Sequence, residues 1–182
     1  PFGNDGYISH ETMVSRINGD LANDLGNLAQ RSLSMIAKNC DGAVPEPGTL
    51  ADDDEKLLAA ARDVLDQVRS EFTRQAFHRG MEAIWLVVGD ANRYVDAQAP
   101  WTLRKTDPVR METVLYTLAE TIRHLAILVQ PLMPQSAGAM LDQLAVPGDA
   151  RSFAHLGSGH ALTAGQTLPK PSPVFPRYVD EG

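Results

Sequence analysis

The sequence predicts an all-α domain, a bundle of about five helices with an irregular C-terminal tail. Three observations predict it. Apolar residues recur at helical spacing in successive stretches, prolines and glycines separate those stretches, and no segment before Val146 reads as a strand. After Pro147 the chain is rich in Gly, Ser and Pro and loses its periodicity. The expected organisation is an entry linker over residues 1–8, a helical domain over 9–146 and a tail over 147–182.

The entry carries Gly3, Asn4, Asp5 and Gly6, residues of turns. Ser9 suits a helix N-cap. From His10 to Cys40 no proline interrupts, and Ile17, Leu21, Leu25, Leu28, Met35 and Ile36 mark one face of a long first helix. Gly42 can supply its left-handed stop. Pro45, Pro47 and Gly48 form a loop. Asp52 and Glu55 have the spacing of a capping box, with an acid in place of Ser or Thr. They open a second helix with the stripe Leu57, Leu58, Ala61, Val64, Leu65 and Val68. The acidic run Asp52–Glu55 is expected to be a solvated cap favoured by the helix dipole. A third helix runs from about Gln75 to about Ala97, with Phe77, Met81, Ile84, Trp85 and Val88 inward, and Pro100 stops it. Asp107-Pro108 reads as N-cap and first residue of a fourth helix through Leu115, Leu118, Ile122, Leu125 and Leu128. Pro131 ends it. Pro134 begins a short fifth with Met140, Leu141 and Leu144. The apolar pair in Pro173-Val174-Phe175-Pro176-Arg177 suggests an extended tail laid on a surface.

A chain of 182 residues with 43% apolar content is long enough to bury roughly 70% of its unfolded surface in one domain. No apolar run approaches the ~18 residues of a membrane span, and the start has no signal-peptide pattern. The opening Pro1-Phe2-Gly3 reads as the interior of a longer protein. The single cysteine, Cys40, cannot close an internal disulfide and suits a thiol in a cytoplasmic protein. His10, His78, His124, His155 and His160 are scattered, so no metal site is expected. Neither a phosphate-cradling glycine loop nor a nucleophile elbow occurs, and no catalytic residue is expected. The net charge of −7 argues against binding nucleic acid through a general basic field. The charge is uneven, however: residues 51–66 carry −4 and residues 91–110 carry +2. That distribution allows local contact with RNA but not wide, sequence-blind binding.

Two segments add more. The first runs Arg16-Ile17-Asn18-Gly19-Asp20-Leu21-Ala22-Asn23-Asp24-Leu25-Gly26-Asn27-Leu28-Ala29-Gln30-Arg31. The second is Ala91-Asn92-Arg93-Tyr94-Val95-Asp96-Ala97-Gln98-Ala99-Pro100-Trp101. In this order they resemble the helical anticodon-binding domain of class I methionyl-tRNA synthetases. Phe2-Gly3-Asn4-Asp5-Gly6 and Val174-Phe175-Pro176-Arg177 are similar to that family's entry and tail, so the resemblance covers essentially the whole chain. It implies a parent enzyme that uses ATP to join methionine to tRNA in a catalytic domain whose HIGH-like and KMSKS-like motifs do not occur here. This stretch would need no cofactor of its own. Its partners would be the anticodon stem-loop of tRNA(Met) and, within the parent, the catalytic domain, towards which the tail folds back in the family.

The resemblance maps the family's anticodon contacts onto Asn27, Arg31, Pro100 and Trp101. Asn27 and Arg31 are four apart and share a helix face. With Asp20 and Asn23 they form a polar stripe opposite Ile17, Leu21 and Leu28. Trp101 follows a helix-ending proline and is expected to project as a stacking platform for an unstacked base, whereas Trp85, mid-helix among apolar residues, is expected in the core. Asn92, Arg93 and Arg104 are candidate contacts to RNA backbone. Two other readings remain open at the level of sequence: a related class I synthetase for isoleucine, valine, leucine or cysteine, and a helical protein-interaction bundle with no RNA role.

Overall fold

The computed structural model describes residues 9–179. The expected linker 1–8, with its Phe2–Gly6 signature, lies outside them, as do residues 180–182. The chain forms α1 (His10–Arg16), a π-helical segment (Ile17–Gly26), α2 (Asn27–Asn39), α3 (Asp52–Thr73), α4 (Phe77–Gln98), α5 (Pro100–Thr106), α6 (Pro108–Val129) and α7 (Pro134–Gln143). Three single 3₁₀ turns follow, Gly148–Ala150, Phe153–His155 and Ser158–His160. Among the described residues the extended pairing is one isolated bridge, Ala43 to Thr167.

Local chemistry sets most boundaries. Ser9 Oγ accepts from the Thr12 N–H at 3.1 Å, and Asp107 Oδ1 accepts from the Arg110 N–H at 3.0 Å. Pro108 and Pro134 occupy first-turn positions, where no N–H is missed. After α2, Asp41 and Gly42 both take left-handed φ, of 51° and 67°, so the stop expected of Gly42 is shared. The capping box differs from the expected one. Its N-cap is Ala51, and Asp54 rather than Glu55 reaches back to accept from the Ala51 N–H at 2.8 Å. Asp54 is also fully buried, so the acidic run is not a uniformly solvated cap. Sequence reasoning missed α5: Pro100 ends one helix and starts the next.

The core is built around α6. Nearly every residue of its second half is buried, as expected for a helix apolar on most sides. The helices α2, α3, α4, α5 and α7 all pack on it. The buried stripe of α3 is Leu57, Leu58, Ala61, Val64 and Val68, with Leu65 partly buried. Three titratable side chains are buried in α6. Arg123 donates to Glu120 through Nε (2.9 Å) and Nη2 (2.6 Å) and to the His155 carbonyl through Nη1 (2.7 Å). Glu120 Oε2 also accepts from the Leu162 N–H at 3.0 Å. His124 is buried beside them, with Nδ1 2.9 Å from the Glu120 carbonyl, and burial lowers its pKa. These bonds bind the irregular segment after α7 to the core, since a buried charge is tolerated only when its hydrogen bonds are made. The last described residues lie along the first helical stretch. Val174 and Phe175 are half-buried, and the Asn18 amide clamps Tyr178, accepting from its N–H at 2.7 Å and donating to its carbonyl at 3.0 Å. The tail is extended and laid on a surface, as its sequence suggests, and is firmly held there.

Candidate nucleic-acid interface

The first quoted motif contains the π-helical segment. Asn18, Gly19, Asp20, Asn23 and Asp24 are all weak helix formers, because short polar side chains compete for the backbone and Gly has no side chain to restrict it. The widened turns coincide with two side-chain bonds from α4: Trp85 Nε1 donates to the Asp20 carbonyl at 3.3 Å, and Asn92 Nδ2 donates to the Asp24 carbonyl at 3.3 Å. Such widened segments are rare and occur often at functional sites. They also shift the angular phase, so the expected polar stripe splits. Asp20 lines a groove with Trp85, His78 and Met81, while Asn23 and Asn27 line a separate cavity on the tail side.

Regular α-helix resumes at Asn27, and Asn27 and Arg31 share a face as expected. Arg31 is where the two motifs meet. Its Nη1 donates to Asp96 Oδ1 at 2.8 Å and its Nη2 to Asn92 Oδ1 at 2.7 Å. Asn92 is in turn fixed, because its Nδ2 donates to the Val88 carbonyl (3.1 Å) as well as to that of Asp24. The oxygen of Asn92 must therefore face Arg31. The Arg31 side chain remains 27% exposed, and Nε is buried without a hydrogen-bond partner. A planar guanidinium carries five N–H donors; with two used by Asp96 and Asn92 and the Nε–H buried, one on each Nη is left for a ligand. Asn27, one turn earlier, is exposed.

The second motif ends at a left-handed corner. Asp41, Gln75 and Ala145 also take positive φ, each just past a helix end. Ala99, at φ 44°, differs because a new helix begins on the next residue. An alanine there carries strain of order 1–3 kcal/mol. The corner buries Pro100 and leaves Trp101 49% exposed on α5. Trp101 thus projects, as expected, while Pro100 is an internal wedge. Trp85 is half-buried against the core rather than within it, because its indole N–H turns to a backbone carbonyl of the π-helical segment.

Of the other candidates, Asn92 has both ends of its amide engaged by protein. Arg93 points away from Arg31, pairs with Asp90 and lines a groove of about 250 Å³ between α3 and α4 with Asp53 and Lys56. Arg104 is exposed on α5 beside Lys105. Asp96, which holds Arg31, lies within the second motif, but nothing in spacing alone pairs it with a residue 65 positions away. Burial, then Glu112 and Asp41, push the Cys40 thiol up to about 11, which disfavours the thiolate. Among the described residues no group of three His, Cys, Asp or Glu is placed to hold a metal, and no helix is long and apolar enough to cross a membrane.

Comparison with known proteins bears on this geometry. Residues 44–182 match the family model described as the anticodon binding domain of methionyl tRNA ligase. The methionine–tRNA ligase of Brucella suis biovar 1 (strain 1330) is 56% identical over 180 residues, covering 99% of this chain and 35% of its own length. That of Mycobacterium tuberculosis (strain ATCC 25618 / H37Rv) is 55% identical over 182 residues, covering 98% of this chain and 35% of its own length. These alignments take in the first motif, which lies before the residues that the family model matches. Among solved structures, the apo form of Mycobacterium tuberculosis methionyl-tRNA synthetase superposes with a TM-score of 0.95 at 54% identity, over 99% of this chain and 37% of that one. The same enzyme bound by methionyl-adenylate gives a TM-score of 0.93 at 54% identity, over 97% of this chain and 35% of that one. The chain spans about a third of the length of the relatives it matches. Family model and relatives agree with the methionyl reading and set aside the isoleucyl, valyl, leucyl and cysteinyl alternatives: this chain belongs to the family of methionyl-tRNA ligase anticodon-binding domains.

Proposed function

We propose that this domain selects tRNA(Met) by the CAU anticodon of its stem-loop, inside a cytoplasmic ligase whose remaining chain uses ATP to charge that tRNA with methionine. The observation that supports this most is the oriented Arg31 guanidinium, fixed by Asp96 and Asn92 next to the exposed Asn27 amide. Cytosine presents acceptors at O2 and N3 and a donor at its amino group. Arg31 has only donors to offer, and Asn27 has an acceptor for the amino group. Uracil carries N–H at N3 and meets Arg31 with the wrong polarity. Trp101 supplies a π-face for an unstacked base, and Pro100 sets the helix that carries it. A carboxylate against Arg31 weakens its general pull on phosphate, so the arrangement favours reading a base edge. This accords with a chain of net charge −7 that has no general basic field.

The test is Arg31→Gln in the full-length ligase. Gln keeps one donor group and adds an acceptor. A good bidentate contact contributes ~1–3 kcal/mol of discrimination, so the preference for cytosine over uracil at the first anticodon position should fall about 5- to 150-fold. Charging kinetics on the two transcripts measure it. An unchanged preference refutes the assignment.

A further inference from the structure

The C-terminal tail touches the π-helical segment near both of its ends. At the start, the Asn18 amide grips the Tyr178 backbone, accepting from its N–H at 2.7 Å and donating to its carbonyl at 3.0 Å. Tyr178 also sets its ring edge-on to that of His10, with centroids 5.5 Å apart. At the end, Phe175 lies on Gly26. A Cβ on Gly26 would meet the Phe175 Cβ at 3.2 Å and the Leu21 carbonyl oxygen at 2.9 Å, so only glycine leaves room for both contacts. Between the anchors the chain runs Phe175-Pro176-Arg177-Tyr178. Pro176 fixes its own φ and holds Phe175 extended, which stiffens this stretch before it docks. The tail is a strap laid along Ile17–Gly26.

The strapped segment carries a carbonyl on which the orientation of Arg31 depends. Asn18, Gly19, Asp20, Asn23 and Asp24 give it little helix propensity of its own, so its shape depends on what packs against it. From the side opposite the tail, α4 reaches it through Asn92, whose Nδ2 donates to the Asp24 carbonyl at 3.3 Å and to the Val88 carbonyl at 3.1 Å. The Val88 bond is internal to α4. The Asp24 bond ties the amide to the helical stretch that also carries Arg31. With its NH2 engaged, Asn92 turns Oδ1 to Arg31 Nη2 at 2.7 Å.

We propose that the tail is a positioning element for base recognition: Phe175 and Tyr178 pin the π-helical segment at Gly26 and Asn18, keep the Asp24 carbonyl on Asn92, and so hold Arg31 in its reading orientation. This rests on the anticodon reading above, with Arg31 facing the first anticodon base. Without the strap the segment relaxes towards the ordinary helical period, and the Asp24 carbonyl leaves Asn92. The Asn92 amide is then free to shift, and the guanidinium with it. A uracil can be met by movement of the side chain, so discrimination falls while both transcripts still bind.

The experiment measures kcat/KM in the full-length ligase for transcripts with cytosine or uracil at the first anticodon position. Phe175→Ala removes the tail anchor and leaves the sequence of the π-helical segment untouched. It should lower the preference for cytosine about 3- to 30-fold. A purely structural loss would lower both transcripts alike and leave their ratio unchanged. Phe175→Leu, which keeps an apolar contact on Gly26, should recover most of the preference. In an enzyme that already carries Arg31→Gln, Phe175→Ala should change the ratio by less than about 2-fold, because the residue it acts through is gone. If Phe175→Ala does not fold, Asn18→Ala, which removes both bonds to Tyr178, carries the same expectation. A cytosine preference unchanged in the folded tail variant, or a full loss repeated on top of Arg31→Gln, overturns the proposal. Arg31→Gln alone separates the two ideas. If it shifts the preference while the tail variants do not, only the strap fails; if it shifts nothing, the anticodon reading fails and takes the strap with it.

Discussion

Asp54→Asn is the substitution that most directly probes how the bundle holds Trp101 in place. Asp54 is fully buried at the start of α3. Its Oδ1 accepts from the Tyr94 hydroxyl at 2.6 Å and from Arg110 Nη2 at 2.7 Å, and its Oδ2 accepts from the Ala51 N–H at 2.8 Å and from Arg110 Nη1. Arg110 Nη2 also donates to Gln98 Oε1 at 2.8 Å. The cluster joins α3, the end of α4 and the start of α6, and so closes the base of the excursion carrying Trp101. Burial pushes the Asp54 carboxyl up. The hydrogen bonds from Arg110, Tyr94 and Ala51, with the guanidinium charge, outweigh it and hold the group below its ordinary 3.8. Whichever oxygen an asparagine replaces with NH2, two donors then face a donor. Each hydrogen bond to a charged group contributes ~1.5–3 kcal/mol, and breaking a buried pair costs ~3–5. Because the Arg110 side chain is 20% exposed and can turn to water, we expect a loss of about 3 kcal/mol from a total of order 5–15. Urea unfolding at neutral pH measures it. The folded pKa lies below the unfolded one, so the unfolded chain takes up the proton first as pH falls. The stabilisation is therefore complete above pH 3.8 and is lost as pH drops from there through the folded pKa. Asp54→Asn should flatten that acid limb. A loss under ~1 kcal/mol, or an acid limb unchanged in the variant, refutes the reasoning.

The two tryptophans are expected to separate function from packing. Trp101→Ala should cost under ~1 kcal/mol of stability and about 5- to 150-fold in tRNA affinity; thermal unfolding and charging of the full-length enzyme distinguish it from a core residue, which would show the reverse. Trp85→Ala should cost about 2 kcal/mol, less than the ~3–5 of a fully buried ring, with charging by the folded enzyme retained. Gly26→Ala places a methyl 2.9 Å from the Leu21 carbonyl oxygen and 3.2 Å from the Phe175 Cβ. It should lower stability by ~1–3 kcal/mol and speed tryptic cleavage after Arg177; a raised Tm would mean that the tail contact gives way freely.

What was legible in the sequence was whatever a local rule decides. Ser9, Asp107, Pro108 and Pro134 mark helix ends by their own chemistry, and the stripe from Leu57 to Val68 faces the core as its period requires. What was not legible depended on partners far away in sequence. Asp54 looks like its neighbours Asp52 and Asp53 until Arg110 and Tyr94 arrive beside it. Glu120, Arg123 and His124 look like the polar side of α6 until the segment after α7 folds over them. Trp85 has a core residue's neighbours in sequence, but its N–H needs an acceptor, and the nearest one lies at the rim. For the candidate site, the two motifs were visible as strings of residues, whereas the bonds from Arg31 to Asn92 and Asp96 that join them were not.

The departures from local rules concentrate where the motifs meet. The π-helical segment breaks the helical period over Ile17–Gly26, Ala99 takes a left-handed conformation between two helices, and Arg31 Nε is buried without a partner. Each costs stability locally. Their joint effect is geometric. The widened turns bring the Asp24 carbonyl to the Asn92 amide, that bond orients Asn92, and Asn92 with Asp96 orients Arg31. The Ala99 corner then sets Trp101 just past the end of the same helix. A folded chain retains such costs when the surrounding structure over-determines them and a ligand uses the result. The consequence is a guanidinium held at both Nη atoms before any ligand arrives. Preorganisation of that kind converts binding into discrimination, because a base of the wrong polarity cannot be met by moving the side chain.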